Sequence, residues 1–148
     1  MPTYNVYVKA DSLNDDQKKR TAQAITKAHS ESTGAPEFYV QVIFSEISEN
    51  DRYVGGHRFN SHMWIRGDVR TGRNAEQRRE LMLKMIKNVS ESINCDKNSI
   101  WIDLCSIEPE SILKYGQVFP PAGREKEWLE NLPEDVKEIV NDLIQGKG

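Results

Sequence analysis

Two stretches of the chain carry apolar side chains at every third or fourth position, the spacing of an amphipathic helix. The first runs from Asn14 to Gly34, and the second runs from Asn74 to Asn94. Asparagine is a good helix N-cap, and glycine or asparagine readily ends a helix in the left-handed conformation. The pattern therefore predicts two helices, each with its own start and stop signal.

Runs rich in β-branched and aromatic residues flank both predicted helices, which is typical of strands. PTYNVYV precedes the first helix and FYVQVIFSEI follows it, while HMWIRGDV and SIWIDLCSI occupy the same places around the second. An offset of 60 residues aligns the two halves without a gap. Each half therefore reads as strand, helix, strand, and a crossover of this length joins parallel strands in a right-handed sense.

Two such units predict an α+β fold, a tandem β-α-β repeat with a four-stranded sheet and both helices on one face. We expect one domain over residues 1–148, with pseudo-repeats at 2–50 and 62–110 and a C-terminal helical tail at 111–148. Apolar positions on both faces of the strands predict that the open sheet face is covered, either by oligomerisation or by the tail. The polar linker SENDRYVGGHRFNS predicts a loop or hairpin between the halves.

The composition is that of an ordinary globular domain and excludes several classes of partner. The 148 residues are 37% hydrophobic and 29% charged, with a net charge of -3, which favours neither nucleic acid nor an anionic membrane. No apolar run approaches transmembrane length, and no secretory signal is visible. The two cysteines, Cys95 and Cys105, form no Cys-x-x-Cys motif, so we expect reduced structural thiols in a cytoplasmic protein. The histidines show no metal-binding spacing, so we expect no metal.

The second residue is a proline, and its chemistry depends on whether Met1 is removed. With Met1 removed, the nitrogen of Pro2 is a secondary amine that can act as a base, an acid or a nucleophile. With Met1 retained, the same nitrogen is an amide without that chemistry. The plain alternative is that a small residue simply follows the initiator methionine.

Three further side chains are candidates for binding an anion. Arg70 and Arg73 flank Thr71-Gly72 at the turn between a predicted strand and the second helix, where the free N–H groups of the helix start and two guanidinium groups favour a carboxylate. A solvated surface pair is the alternative. His29 lies on the apolar stripe of the first predicted helix, where a histidine is more often a buried packing residue than a catalyst.

Together these segments resemble the tautomerase superfamily, and within it the cis-3-chloroacrylic acid dehalogenase group. The resemblance is carried by MPTYNVYV, AITKAH, VRTGR, IWI and KYGQVFPPAGREKEW, in this order along the chain. It implies a tautomerase-like fold similar to that of macrophage migration inhibitory factor, assembled as a homotrimer. It also implies a catalytic amino-terminal proline, with His29, Arg70 and Arg73 binding the carboxylate of a small substrate and no cofactor.

Two positions depart from the dehalogenase pattern. Asp103 stands where the resemblance implies a tyrosine, and Lys114 stands where it implies a glutamate, the two residues that help activate water in that group. Asp103 is either the water-activating base, moved from position 114, or the partner of Lys114 in a structural ion pair, which we favour slightly. A third option is that Lys114 adds a cation for dicarboxylate substrates.

The residues and the resemblance together favour a tautomerase that transfers a proton in small 2-oxo or 2-enol carboxylates. Pro2 would be the base and the acid, while Arg70, Arg73 and His29 would hold the carboxylate. One alternative is a hydratase or dehalogenase acting on 3-halo- or acetylenic acrylates, with Asp103 as the base. The other is a carboxylate-binding protein without catalytic activity.

Overall fold

The computed structural model describes residues 2–147. The elements in chain order are β1 (Thr3–Lys9), α1 (Asp15–Thr33), β2 (Gln41–Ile47), β3 (Tyr53–Val54), β4 (His57–Arg58), β5 (Met63–Arg70), α2 (Ala75–Ile93), β6 (Ile100–Ile107), β7 (Leu113–Lys114), β8 (Gln117–Val118), α3 (Glu125–Glu130) and α4 (Glu134–Ile144). Short 3₁₀ turns lie at Glu37–Tyr39, Lys97–Ser99 and Pro109–Ser111.

The main sheet has four strands in the order β2-β1-β5-β6. Within each half the two strands are parallel, so β1 pairs with β2 and β5 pairs with β6. The halves meet through antiparallel pairing of β1 with β5, in which Thr3 lies opposite Asp68. The predicted α+β class and the tandem β-α-β architecture are therefore confirmed.

Both long helices begin and end as the repeat predicts. The side chain of Asn14 accepts a hydrogen bond from the N–H of Gln17, whose side chain accepts one in return from the N–H of Asn14. Asn74 and Gln77 form the same capping box at the start of α2. Such reciprocal bonds satisfy N–H groups that a helix start leaves without partners, which fixes where each helix begins.

The core lies between the two helices and one face of the sheet. It consists of side chains that alternate along β1 and β5 and recur at helical spacing on α1 and α2: Tyr4, Val6, Val8, Ala24, Ile25, Ala28, Met63, Ile65, Val69, Leu81, Met85, Val89 and Ile100. Gly67 admits the ring of Tyr4 into this layer, because a Cβ at position 67 would lie 2.5 Å from the Tyr4 ring. Tyr4 can therefore occupy the sheet face that contacts α1.

The tail packs at one end of the sheet and leaves much of the opposite face open. Phe119, Leu132 and Val140 are buried within the tail region, and α4 lies in the C-terminal segment that the sequence predicts to be helical. On the sheet face away from the helices, Ile43 and Trp101 remain 41% and 42% exposed in the single chain. The tail alone therefore does not cover this face.

The linker between the halves forms the short β3–β4 hairpin, as its glycines predict. Within residues 2–147, every helix is too short or too polar to cross a membrane.

Candidate active site

The start of β1 lies beside the end of β5. Pro2 is buried, and its carbonyl accepts a hydrogen bond from the N–H of Gln41 at 3.0 Å. Because β1 and β5 run antiparallel, Pro2 lies next to the end of β5 that carries Arg70. Met1, on whose removal a free Pro2 amine depends, lies outside the described residues.

Arg70 is buried and held from three sides by the tail. Its Nη1 donates to the carbonyl of Pro120 at 2.7 Å, and its Nη2 donates to Oε1 of Glu125. The guanidinium also lies 4.9 Å from the centre of the Phe119 ring. Burial opposes ionisation of Glu125, but the hydrogen bond from Arg70, the backbone hydrogen bonds and the charge of Arg70 together outweigh it and lower the pKa of Glu125. Arg70 and Glu125 therefore form a charged pair at the junction of sheet and tail.

Arg73 lies three residues further along the chain and is half-buried, and fewer of its N–H groups have acceptors than those of Arg70. Its Nη1 donates to the carbonyl of Arg70 at 3.2 Å, while no carboxylate lies within 4.0 Å of it among the described residues. Burial and the charge of Arg70 lower the pKa of Arg73. An arginine remains protonated in proteins, so Arg73 has guanidinium N–H groups left to bind an anion.

His29 lies in the same region, near Arg73 and Arg70, and is 2% exposed. Its Nδ1 lies 2.7 Å from the hydroxyl of Tyr4. Burial and the charge of Arg73 lower the pKa of His29 to about 3, so the imidazole is neutral at physiological pH. Burial raises the pKa of Tyr4, so its phenol is neutral as well. The structure thus places Pro2, His29, Arg70 and Arg73 in one region at the end of the sheet.

Asp103 is not part of this group in the single chain. Its carboxylate accepts a hydrogen bond from the indole Nε1 of Trp64 at 2.7 Å, on the sheet face away from the helices. No ion pair joins it to Lys114 within residues 2–147. The expected ion pair between Asp103 and Lys114 is therefore not formed in the single chain, where the indole on the neighbouring strand binds the carboxylate.

Three polar residues near the arginines were absent from the sequence prediction of the site. Glu125 pairs with Arg70 across a separation of 55 residues, which no local pattern indicates. Tyr4 shares the core-facing positions of β1 with Val6 and Val8 and gives no sign of a polar role. Tyr39 follows Phe38 in an aromatic stretch before β2 and likewise gives no local sign of a polar role. Within residues 2–147, no three histidine, cysteine or acidic side chains converge as metal ligands.

Comparison with known proteins shows the family. The Tautomerase_3 family, described as "Putative oxalocrotonate tautomerase enzyme", matches residues 1–132. Proteins named "Probable tautomerase" from Bacillus cereus and Bacillus anthracis are 46% identical over 50 residues, which are 34% of this chain and 82% of each relative. Those relatives therefore have about the length of one repeat. The chain belongs to the Tautomerase_3 family, and the resemblance seen in the sequence is confirmed.

Solved structures show the same fold. The crystal structure of N1, a member of the cis-3-chloroacrylic acid dehalogenase (cis-CaaD) family, is 28% identical and superposes with a TM-score of 0.87, covering 95% of this chain and 99% of N1. A fused 4-OT asymmetric trimer is 21% identical, with a TM-score of 0.72 over 78% of this chain and 94% of that one. The likeness to the fused 4-OT protein concerns the fold alone.

Proposed function

We propose that this protein is a cofactor-independent tautomerase acting on small 2-oxo or 2-enol carboxylates. The observation that carries the proposal is the burial of Pro2 at the start of β1, beside the end of β5 that bears Arg70. Tautomerase family membership supports the same chemistry. With Met1 removed, Pro2 would present a secondary amine in a region that contains two guanidinium groups.

The proposed reaction moves one proton between oxygen and carbon. The neutral Pro2 amine takes the proton of the 2-hydroxyl group, and the electron pair of that O–H bond forms the C2 carbonyl. The C2–C3 double bond opens, and its electron pair takes the proton from the prolinium to form the C3–H bond. Neighbouring cations favour the neutral amine that this step needs. Arg70 and Arg73 also stabilise the negative charge that develops on the substrate as the proton leaves.

Carboxylate binding is assigned chiefly to Arg73. Arg70 already donates to Pro120 and Glu125, whereas among residues 2–147 Arg73 donates only to a backbone carbonyl. A neutral His29 adds one N–H donor. The charges of Arg70 and Glu125 cancel, so the site keeps the single positive charge of Arg73, which suits one carboxylate group.

Replacement of Arg73 tests this assignment. We expect Arg73→Gln to raise KM for the enol form of phenylpyruvate by about tenfold or more, because a charge-assisted hydrogen bond is lost. Arg79→Gln is the matched control, since Arg79 is exposed on α2 and its ion-pair partner is Glu76 on the same helix. Equal KM values for Arg73→Gln and the wild type would rule out carboxylate binding by Arg73.

We propose in addition that the protein forms a homotrimer. The solved 4-OT relatives include trimers, and the sheet face with Ile43 and Trp101 remains open in the single chain. Burying such a face against other copies would remove apolar surface from water. Light scattering on the purified protein tests this, and a monomeric mass at micromolar concentration would contradict it.

A hydratase or dehalogenase activity is the second candidate, favoured by the 28% identity to N1 over almost the whole chain. It requires a group that activates water, and Asp103 was the sequence-based candidate for that role. Its carboxylate is instead bound to Trp64 in the single chain. Release of halide from cis-3-chloroacrylate, abolished in Asp103→Asn, would establish this activity in place of the tautomerase.

A further inference from the structure

Tyr39 has a buried hydroxyl that no group of the described chain satisfies. The residue ends the 3₁₀ turn Glu37–Tyr39 before β2 and is 2% exposed. Its hydroxyl is fully buried and has no hydrogen-bond partner. A buried hydroxyl without a partner costs free energy, and a bound water or ligand can supply the missing partner.

The hydroxyl belongs to the region of the candidate site. The turn that carries Tyr39 leads directly to Gln41, whose N–H binds the carbonyl of Pro2 at 3.0 Å. The ring of Tyr39 packs edge-on against Phe119 at 5.7 Å, and Phe119 also contacts the guanidinium of Arg70. Tyr39 therefore stands between the start of β1 and the pair formed by Arg70 and Glu125.

Burial, together with a neighbouring carboxylate, keeps this hydroxyl protonated. Burial and the carboxylate of Glu125 raise the pKa of Tyr39 to about 12, although Arg70 acts in the opposite direction. Tyr39 therefore remains a neutral donor with one O–H group throughout the physiological range. It is no base, so it does not replace the water-activating residues of the dehalogenase group.

The other hydrogen-bond donors nearby already have an acceptor or are assigned to the substrate carboxylate. The guanidinium of Arg70 donates to Pro120 and Glu125, and Arg73 is the arginine left for a carboxylate. A 2-oxo or 2-enol carboxylate has one further polar group, the oxygen on C2. A neutral donor suits that oxygen, because its negative charge grows as the proton moves.

We propose that Tyr39 is a substrate-binding residue whose hydroxyl donates a hydrogen bond to the C2 oxygen of the substrate. This rests on the proposed function, since it takes the 2-oxo or 2-enol carboxylate as the ligand. It assigns to Tyr39 the recognition of oxygen at C2, and to Arg73 the recognition of the carboxylate.

Two unreactive ligands test the proposal by calorimetry, without requiring turnover. 3-Phenyllactate carries an oxygen on C2, and 3-phenylpropanoate is the same acid without it. We expect the wild type to bind 3-phenyllactate about tenfold more tightly, because its hydroxyl oxygen satisfies the Tyr39 donor. In Tyr39→Phe, which keeps the ring and removes only the hydroxyl, this preference should disappear.

Turnover provides the second readout. We expect Tyr39→Phe to lower kcat/KM for the enol of phenylpyruvate by about ten- to a hundredfold, as for the loss of one oxyanion donor. Tyr7→Phe is the matched control, because Tyr7 stacks on Trp64 at 4.8 Å, away from the arginines. Its ligand preference and its kinetics should equal those of the wild type.

A purely structural hydroxyl predicts the opposite pattern. Removing an unsatisfied buried group would then leave binding and kinetics unchanged and would leave stability equal or higher. That result, or the absence of any preference in the wild type, would overturn the proposal. The wild-type comparison also decides the matter if Tyr39→Phe does not fold.

The outcomes separate this inference from the proposed function. A preference for 3-phenyllactate that depends on Tyr39, in a protein without tautomerase activity, would support the inference and contradict the function. Activity that depends on Pro2 but not on Tyr39 would support the function and contradict the inference.

Discussion

The hydroxyl of Tyr4 and Nδ1 of His29 are joined by a hydrogen bond of 2.7 Å, and both side chains are buried. The direction follows from hydrogen-bond accounting, because the hydroxyl proton of Tyr4 has no other acceptor among the described residues. The proton of the neutral His29 ring therefore resides on Nε2. Tyr4 thus fixes the tautomer in which His29 is a donor at Nε2.

Without the Tyr4 hydroxyl, the proton of the neutral His29 ring should no longer be held on Nε2. We expect Tyr4→Phe to reduce the free energy of unfolding by about 1–3 kcal/mol, because Nδ1 of His29 loses its partner in a buried place. Urea denaturation measures this loss, and ¹⁵N NMR of the imidazole reports the tautomer. A wild-type spectrum with the proton on Nδ1 would contradict the assignment.

The burial of His29 also predicts how stability depends on pH. Burial and the charge of Arg73 lower the pKa of His29 to about 3, compared with about 6.5 for an exposed histidine. Between these values the unfolded chain binds a proton that the folded chain does not. The free energy of unfolding should therefore fall as the pH drops below about 6.5, by up to about 1.4 kcal/mol per pH unit for one proton.

Urea titrations from about pH 4 to pH 7 measure this slope. His29→Gln should flatten it, whereas His57→Gln should not, because His57 is exposed on β4. Some slope should remain in His29→Gln, since burial and Arg52 lower the pKa of His62 as well. Equal slopes in His29→Gln and the wild type would show that His29 is not buried in its neutral form.

The pair of Arg70 and Glu125 should be strongly coupled. Glu125→Gln leaves a buried guanidinium without its counter-ion, so we expect a loss of about 3 kcal/mol in the free energy of unfolding. Replacing both residues by leucine should restore much of that loss. Glu91→Gln is the surface control, because Glu91 is 64% exposed and pairs with Lys87. If the effects of Arg70→Leu and Glu125→Leu on the free energy of unfolding add up to that of the double variant, Arg70 and Glu125 are not coupled.

The fold was largely predictable because its signals are local and occur twice. Asn14 and Asn74 mark the helix starts, Gly34 and Asn94 mark the ends, and the structure has a capping box and a left-handed cap at these positions. Periodicity then assigns helix or strand within each half. What periodicity does not give is the antiparallel contact of β1 with β5, which follows from packing of the two halves.

The site was only partly predictable, for a physical reason. Arg70 and Arg73 lie at a strand end and a helix start, where sequence alone indicates an anion site. Glu125 and Tyr39 join the region only through tertiary contacts with the tail and with the turn before β2. For Asp103 the sequence suggested Lys114 as the partner, whereas the structure places Trp64 of the adjacent strand there.

The most direct test of the account is the rate of enol tautomerisation by protein whose intact mass shows the loss of Met1. With the enol of phenylpyruvate, we expect activity in this material and a fall in kcat of at least about a hundredfold in Pro2→Ala. Material that retains Met1 should be inactive, because its Pro2 nitrogen is an amide. A Pro2→Ala protein, or one retaining Met1, that turns over at the wild-type rate would contradict catalysis by Pro2.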